Sequence, residues 1–154
     1  MPGYKGHLAG GLFAYFVLMS VSLLYFRPTL FTAIEWSFFA LAGSLFPDVD
    51  TKSKGQKYFY RLIAVLLIFL AVRAQWRELA TVSLIATLPL LVSHRGLFHR
   101  LWFIILFPAA IAFGISLYFP NCEHMIKYDY LFFVAGAISH LWLDLGLKRM
   151  LRIY

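Results

Sequence analysis

Residues Leu8–Phe26 read LAGGLFAYFVLMSVSLLYF, nineteen consecutive positions without a charge. Wound as an α-helix they would extend about 28 Å at 1.5 Å per residue, close to the hydrocarbon thickness of a bilayer. The rest of the chain repeats the pattern. Of its 154 residues 62% are hydrophobic and 14% charged, with a mean hydropathy of +0.76, whereas a soluble domain carries about a quarter charged side chains. Further apolar runs lie at about 30–46, 58–73, 77–93, 100–119 and 129–147. They lack period-2 alternation and are too long for barrel strands, so the fold expected is a bundle of about six transmembrane helices. It forms one domain over 1–154. Lys5 ahead of the first run and Ser20–Ser22 within it faintly resemble a signal peptide. The run is longer than the usual apolar stretch of such a signal and more spans follow, so it reads as a retained anchor. Pro28 separates the first two spans, while Pro89 and Pro108 fall inside spans and are expected to kink them. The single Cys122 excludes an internal disulfide.

The net charge of +7 could point to nucleic acid, but the basic residues are scattered between spans and no nucleic-acid partner is expected. In a membrane protein such charges report topology first. The N-terminus, the second and fourth loops and the C-terminus hold Lys5, Lys52, Lys54, Lys57, Arg61, Arg95, Arg100, Lys148, Arg149 and Arg152. The other three loops hold Arg27, Arg73, Arg77 and Lys127. Ten against four puts both termini in the cytoplasm. Trp36, Trp76, Trp102 and Trp142 all fall near helix ends, where amphipathic rings favour the membrane interface.

Histidine and aspartate took no part in that count, yet most collect on the same side. His7 starts the first span, and Asp48 and Asp50 end the second. His94 and His99 lie in the fourth loop, and His140 and Asp144 near the end of the sixth. Only His124 and Asp129 fall opposite. His140 and Asp144 are four apart, one above the other on a helix face. The Phe46–Pro47 step extends the backbone, so Asp48 and Asp50 can point the same way. Gly96 gives "SHRGLFHR" (93–100) a turn that folds His94 and His99 together. Each element has a plainer reading: interface histidines often only hydrogen-bond, His140 and Asp144 could join helices, and Asp48 and Asp50 could neutralise Lys52 and Lys54. Four such accidents on one side are harder to accept than one shared site. Seven N/O donors exceed one tetrahedral ion and suit two divalent ions, zinc or manganese, sharing a bridging ligand. Gly10 and Gly11 are expected to let spans pack closely.

"HLAGG" (7–11), "GSLFPDVD" (43–50), "SHRGLFHR" (93–100) and "SHLWLDLG" (139–146) together resemble the YdjM-like family, described as LexA-binding, inner-membrane-associated, metal-dependent hydrolases. The resemblance spans the chain and lacks no motif residue. It implies a compact helical membrane protein of the bacterial inner membrane. It also implies Asp48, Asp50, His94, His99, His140 and Asp144 as metal ligands, with His7 beside them.

The expected function is therefore hydrolysis of a phosphoester in a lipid or lipid-linked substrate at the cytoplasmic face, through a metal-activated water. Asp50 and Arg95 are the catalytic candidates. Arg95 would grip a phosphate oxygen with its planar fork, assisted by Arg100 and Lys54. One alternative is a non-catalytic metal-binding regulator or scaffold; apolar span interiors argue against an ion carrier. Another is a lipid phosphatase with a histidine nucleophile, for which the Pro-Ser-Gly-His stretch and the basic first motif are missing.

Overall fold

Helix starts and stops follow local chemistry. Thr29, held in extended backbone behind Pro28, caps a helix by accepting the Thr32 N–H at 3.2 Å. The backbone at the Phe46–Pro47 step is not extended, contrary to the expectation from the proline: Phe46 keeps helical angles (φ −60°, ψ −42°), and Phe46–Asp48 form a 3-10 turn that carries the chain on from the helix before it. The computed structural model describes residues 3–25, 27–49, 54–91 and 97–150. Among these are α1 (Tyr4–Ser22), α2 (Leu30–Leu45), α3 (Lys54–Val72), α4 (Trp76–Leu91), α5 (Leu101–Tyr118) and α6 (Glu123–Met150). Short 3-10 turns occupy Phe46–Asp48 and Pro120–Cys122, and the described residues contain no strand.

Each apolar run of the sequence is thus a helix. Among the described residues, four stretches are long and apolar enough to cross a membrane: Leu30–Asp48, Lys54–Val72, Leu101–Tyr118 and Pro120–Leu147. α1 and α4 fall outside that group. α1 starts earlier than its apolar run and takes in Lys5, and it stops at Ser22, short of the last apolar residues. α4 has only 16 residues. Pro108 sits inside α5, and α6 is kinked at Gly146, where φ is +68°. Glycine adopts that backbone without the steric cost a side chain would bring.

α2 and α6 form the most extensive contact, α1 packs on both, and α5 packs on α6. α3 and α4 pack mainly on each other, and the Tyr60 hydroxyl donates to the Ala86 carbonyl at 3.1 Å. The α2–α6 contact runs backbone to backbone. A Cβ at Gly43 would collide with the Phe133 carbonyl, and one at Gly136 with the Ala40 carbonyl. α1 is seated similarly, since a Cβ at Gly11 would lie 2.7 Å from the Ser44 Cβ and one at Gly10 2.7 Å from a Leu143 methyl. The close packing expected of Gly10 and Gly11 is present, and the tighter pair at Gly43 and Gly136 was not anticipated.

Two apolar clusters fill the bundle. Trp36, Ala40 and Phe132 make one, and Phe46, Val49, Phe98, Ile104, Ala137 and Leu141 lead the other. Trp36 corrects the expectation of an interfacial ring. It is 2% exposed and stacks on Phe132 and Tyr128 at centroid distances of 4.7 and 5.1 Å. Proximity to a helix end did not decide its place; the facing aromatic rings of α6 did. Trp76, Trp102 and Trp142 are exposed, as an interfacial ring should be.

Candidate metal centre

Four separate segments bring their polar residues to one end of the bundle. α1 contributes His7 in its first turns, the 3-10 turn after α2 contributes Asp48, and the turn before α5 contributes His99. α6 contributes His140 and Asp144, one turn apart, just ahead of its break at Gly146. One donor atom from each of Asp48, His99, His140 and Asp144 lies within 4.8 Å of all the others. His140 Nε2 stands 3.7 Å from an Asp48 oxygen and 3.5 Å from Asp144 Oδ2. His99 Nε2 stands 4.0 and 3.9 Å from the same two oxygens. His7 Nε2 faces the other Asp144 oxygen, Oδ1, at 3.5 Å, and its ring stacks on that of His140 with centroids 3.7 Å apart.

These separations are too long for good hydrogen bonds, whose heavy atoms stand about 2.7–3.2 Å apart. They are close to the spacing of donors around an ion, roughly 3.3 Å for bonds of about 2.0–2.1 Å in a tetrahedron. The remaining atoms tell the same story. His140 Nε2, Asp144 Oδ1, His7 Nδ1 and His99 Nδ1 are buried with no hydrogen-bond partner. The Asp144 side chain is 5% exposed, and its ion-pair partners are the three imidazoles of His7, His99 and His140. A carboxylate removed from water to that degree needs a cation beside it. Mixed imidazole and carboxylate donors with an unmet charge fit a divalent metal ion.

Exposure across the cluster is graded. His140 is 0% and His7 3% exposed, while the side chains of His99 and Asp48 are 19% and 22% exposed. The Asp48–His99 edge is therefore the open side. Arg100 follows His99 directly, as the exposed N-cap residue of α5. The Lys54 ammonium lies over the Tyr4 ring at 4.9 Å, which brings the start of α3 against the first turn of the helix that carries His7. Asp50, His94 and Arg95 lie outside the described residues. His124 and Asp129 stand near the start of α6, far along that helix from His140 and Asp144, as expected; the His124 ring packs on Tyr128.

One participant escaped the sequence reading. His140 Nδ1–H donates to the main-chain carbonyl of Ser44 at 2.7 Å. Any residue carries a carbonyl, so no side-chain signal marks it. The nearest clue is Pro47, whose place just beyond the end of α2 foretells carbonyls without helical donors.

The fold and this cluster define a class: an all-helical, integral membrane protein that gathers histidines and aspartates from distant segments at one end of its bundle. The match to the family model described as YdjM inner membrane protein extends over residues 1–151, and the chain belongs to that family. Family and apolar helices together make it an integral protein of the inner membrane. No curated protein and no solved structure matches it.

Proposed function

We propose that the cluster is a two-ion metal centre of a hydrolase, which cleaves a phosphoester of a lipid or lipid-linked substrate at the cytoplasmic face. The observation that carries this reading is Asp144: a buried carboxylate with each oxygen turned to different imidazoles, surrounded by donor atoms without partners. Asp48, His99, His140 and Asp144 Oδ2 would hold one ion. Asp144 Oδ1 and His7 would begin the second, completed by Asp50 and His94 from the neighbouring segments. Zinc or manganese suits these donors. Bound there, divalent ions would supply Lewis acidity and an activated water.

The chain's own residues supply the rest. The Asp48–His99 edge is where a scissile group can reach the centre. Arg100 beside it, Lys54 over Tyr4, and Arg95 would bind phosphoryl oxygens, with an Arg fork offering two-point contact that an ammonium lacks. The buried side, formed by His7, His140 and the glycine-packed helices, keeps bulk water from the ligands.

The test begins with purified protein in lipid nanodiscs. Elemental analysis after zinc or manganese supplementation should give about two ions per chain, and a panel of lipid phosphoesters should include a substrate whose turnover a chelator abolishes. Absence of bound metal would overturn the reading. Metal without turnover on any phosphoester would favour the non-catalytic regulator.

A further inference from the structure

We infer that the Ser44 carbonyl sets the tautomer and aim of His140, and that Gly136 is a positioning residue because its bare Cα lets this contact form. The inference rests on reading the cluster as a metal centre.

α2 and α6 run in the same direction where they cross, and two rungs join them. In one, Gly136 meets the Ala40 carbonyl; in the other, His140 meets the Ser44 carbonyl. Both rungs are separated by four residues on each helix, one turn, so the spacing of the first controls the spacing of the second. The Ser44 carbonyl is available because α2 ends there. A 3-10 turn pairs each N–H three residues back rather than four, so the change at Phe46 withdraws the helical donor this carbonyl would have had. The Ser44 hydroxyl takes no part, since it donates to the Leu41 carbonyl at 2.8 Å.

A carbonyl oxygen only accepts, so His140 Nδ1 must carry the proton. In the neutral ring that leaves the lone pair on Nε2, the atom that faces Asp48 and Asp144 and has no hydrogen-bond partner. Outer contacts of this kind hold a ligand in the tautomer and orientation that coordination requires, and losing them weakens metal binding about ten- to hundredfold. An alanine at 136 would place its Cβ against the Ala40 carbonyl, and the helices would have to part. Opening by about an ångström carries the 2.7 Å contact past hydrogen-bond range.

The experiment uses the full chain in micelles with 15N-labelled histidine. In the wild type, ring NMR should find the His140 proton on Nδ1, with or without zinc. A neutral ring protonated on Nε2 alone would overturn the inference. This reading needs no variant, so it stands even where Gly136→Ala does not fold. Zinc competition titrations come second. Gly136→Ala should bind about ten- to hundredfold more weakly, with the Nδ1 proton signal shifted from its bonded position. Gly114→Ala, whose new methyl meets nothing within 4 Å, should match the wild type. Ser44→Ala should also match it, because the carbonyl remains. Loss of affinity in Ser44→Ala equal to that in Gly136→Ala, or full affinity in a folded Gly136→Ala, would overturn the proposal. A wild type that binds no zinc would instead remove the metal reading, while the tautomer still reports on the Ser44 contact.

Discussion

Asp144 turns its two oxygens to different neighbours, Oδ1 to His7 and Oδ2 to His99 and His140, while its side chain is 5% exposed. Replacing it with asparagine keeps the shape and removes the charge. In a metal centre, Asp144→Asn should lose both ions, seen as at least a tenfold fall in bound zinc by elemental analysis of protein that still inserts. In a purely structural imidazolium–carboxylate pair, the same change would cost about 3–5 kcal/mol of stability, and a chelator would leave the wild type unaffected. In the proposed two-ion centre, His7 would hold only the second ion. His7→Ala should reduce about two ions per chain to about one, because Asp48, His99, His140 and Asp144 remain to hold the first. An unchanged stoichiometry would return His7 to a packing role against the His140 ring. At this scale the sequence was informative for the side chains that carry the chemistry. The four-residue spacing of His140 and Asp144, the aspartate after α2 and the histidine just before α5 were readable, and these residues meet; the extended step expected at Phe46–Pro47 was not the means, because the chain there is helical. The Ser44 carbonyl was not, because a main-chain acceptor is recognised only once another helix lies against it.

At the scale of elements, the centre depends on how α2 meets α6, and that contact is built from absent side chains and one large ring. Gly43 and Gly136 bring the backbones together, and Trp36 fills the space further along, stacked on Phe132 and Tyr128. Trp36→Ala should open a cavity and destabilise the bundle by on the order of 3–5 kcal/mol, since tight packing rather than water exclusion holds helices together in lipid. Trp102→Ala, at a ring that is 42% exposed, should cost far less. Unfolding in mixed micelles compares the two, and equal effects would contradict a core role for Trp36. Sequence alone placed these tryptophans alike, one turn or so from helix ends. What distinguishes them is a partner nearly a hundred residues away, and hydropathy carries no information on which face of a span meets lipid. Helix number and type were legible for the opposite reason: a run of apolar residues in a bilayer must satisfy its own backbone, and a helix does so locally.

For the whole molecule, the centre constrains the path of the chain. The first turns of α1, the end of α2, the start of α5 and the end of α6 all meet there, so these four helices run alternately away from and towards one end. α3 begins shortly after Asp48, and α4 ends shortly before His99, so this hairpin must leave that end and return to it. Whether it crosses the bilayer is a question of length. The 19 residues of α3 reach about 28 Å, whereas the 16 of α4 reach about 24 Å, a little under a typical hydrocarbon core. A crossing is still favoured, because Arg73 and Arg77 near the hairpin's tip would otherwise sit within the membrane. If both termini are cytoplasmic, as the basic residues predict, the tip should face outward together with Cys122, which is exposed in the turn before α6. The native cysteine makes the first test direct: a membrane-impermeant maleimide should label Cys122 in cells whose outer membrane has been opened, without lysis. In a Cys122→Ser background, Arg73→Cys should label under the same conditions, and Lys54→Cys only after lysis. Labelling of Arg73→Cys only after lysis, or not at all, would make α3 and α4 a re-entrant hairpin and reduce the crossings to four. Labelling of Lys54→Cys from outside would invert the protein and place the metal centre on the other face.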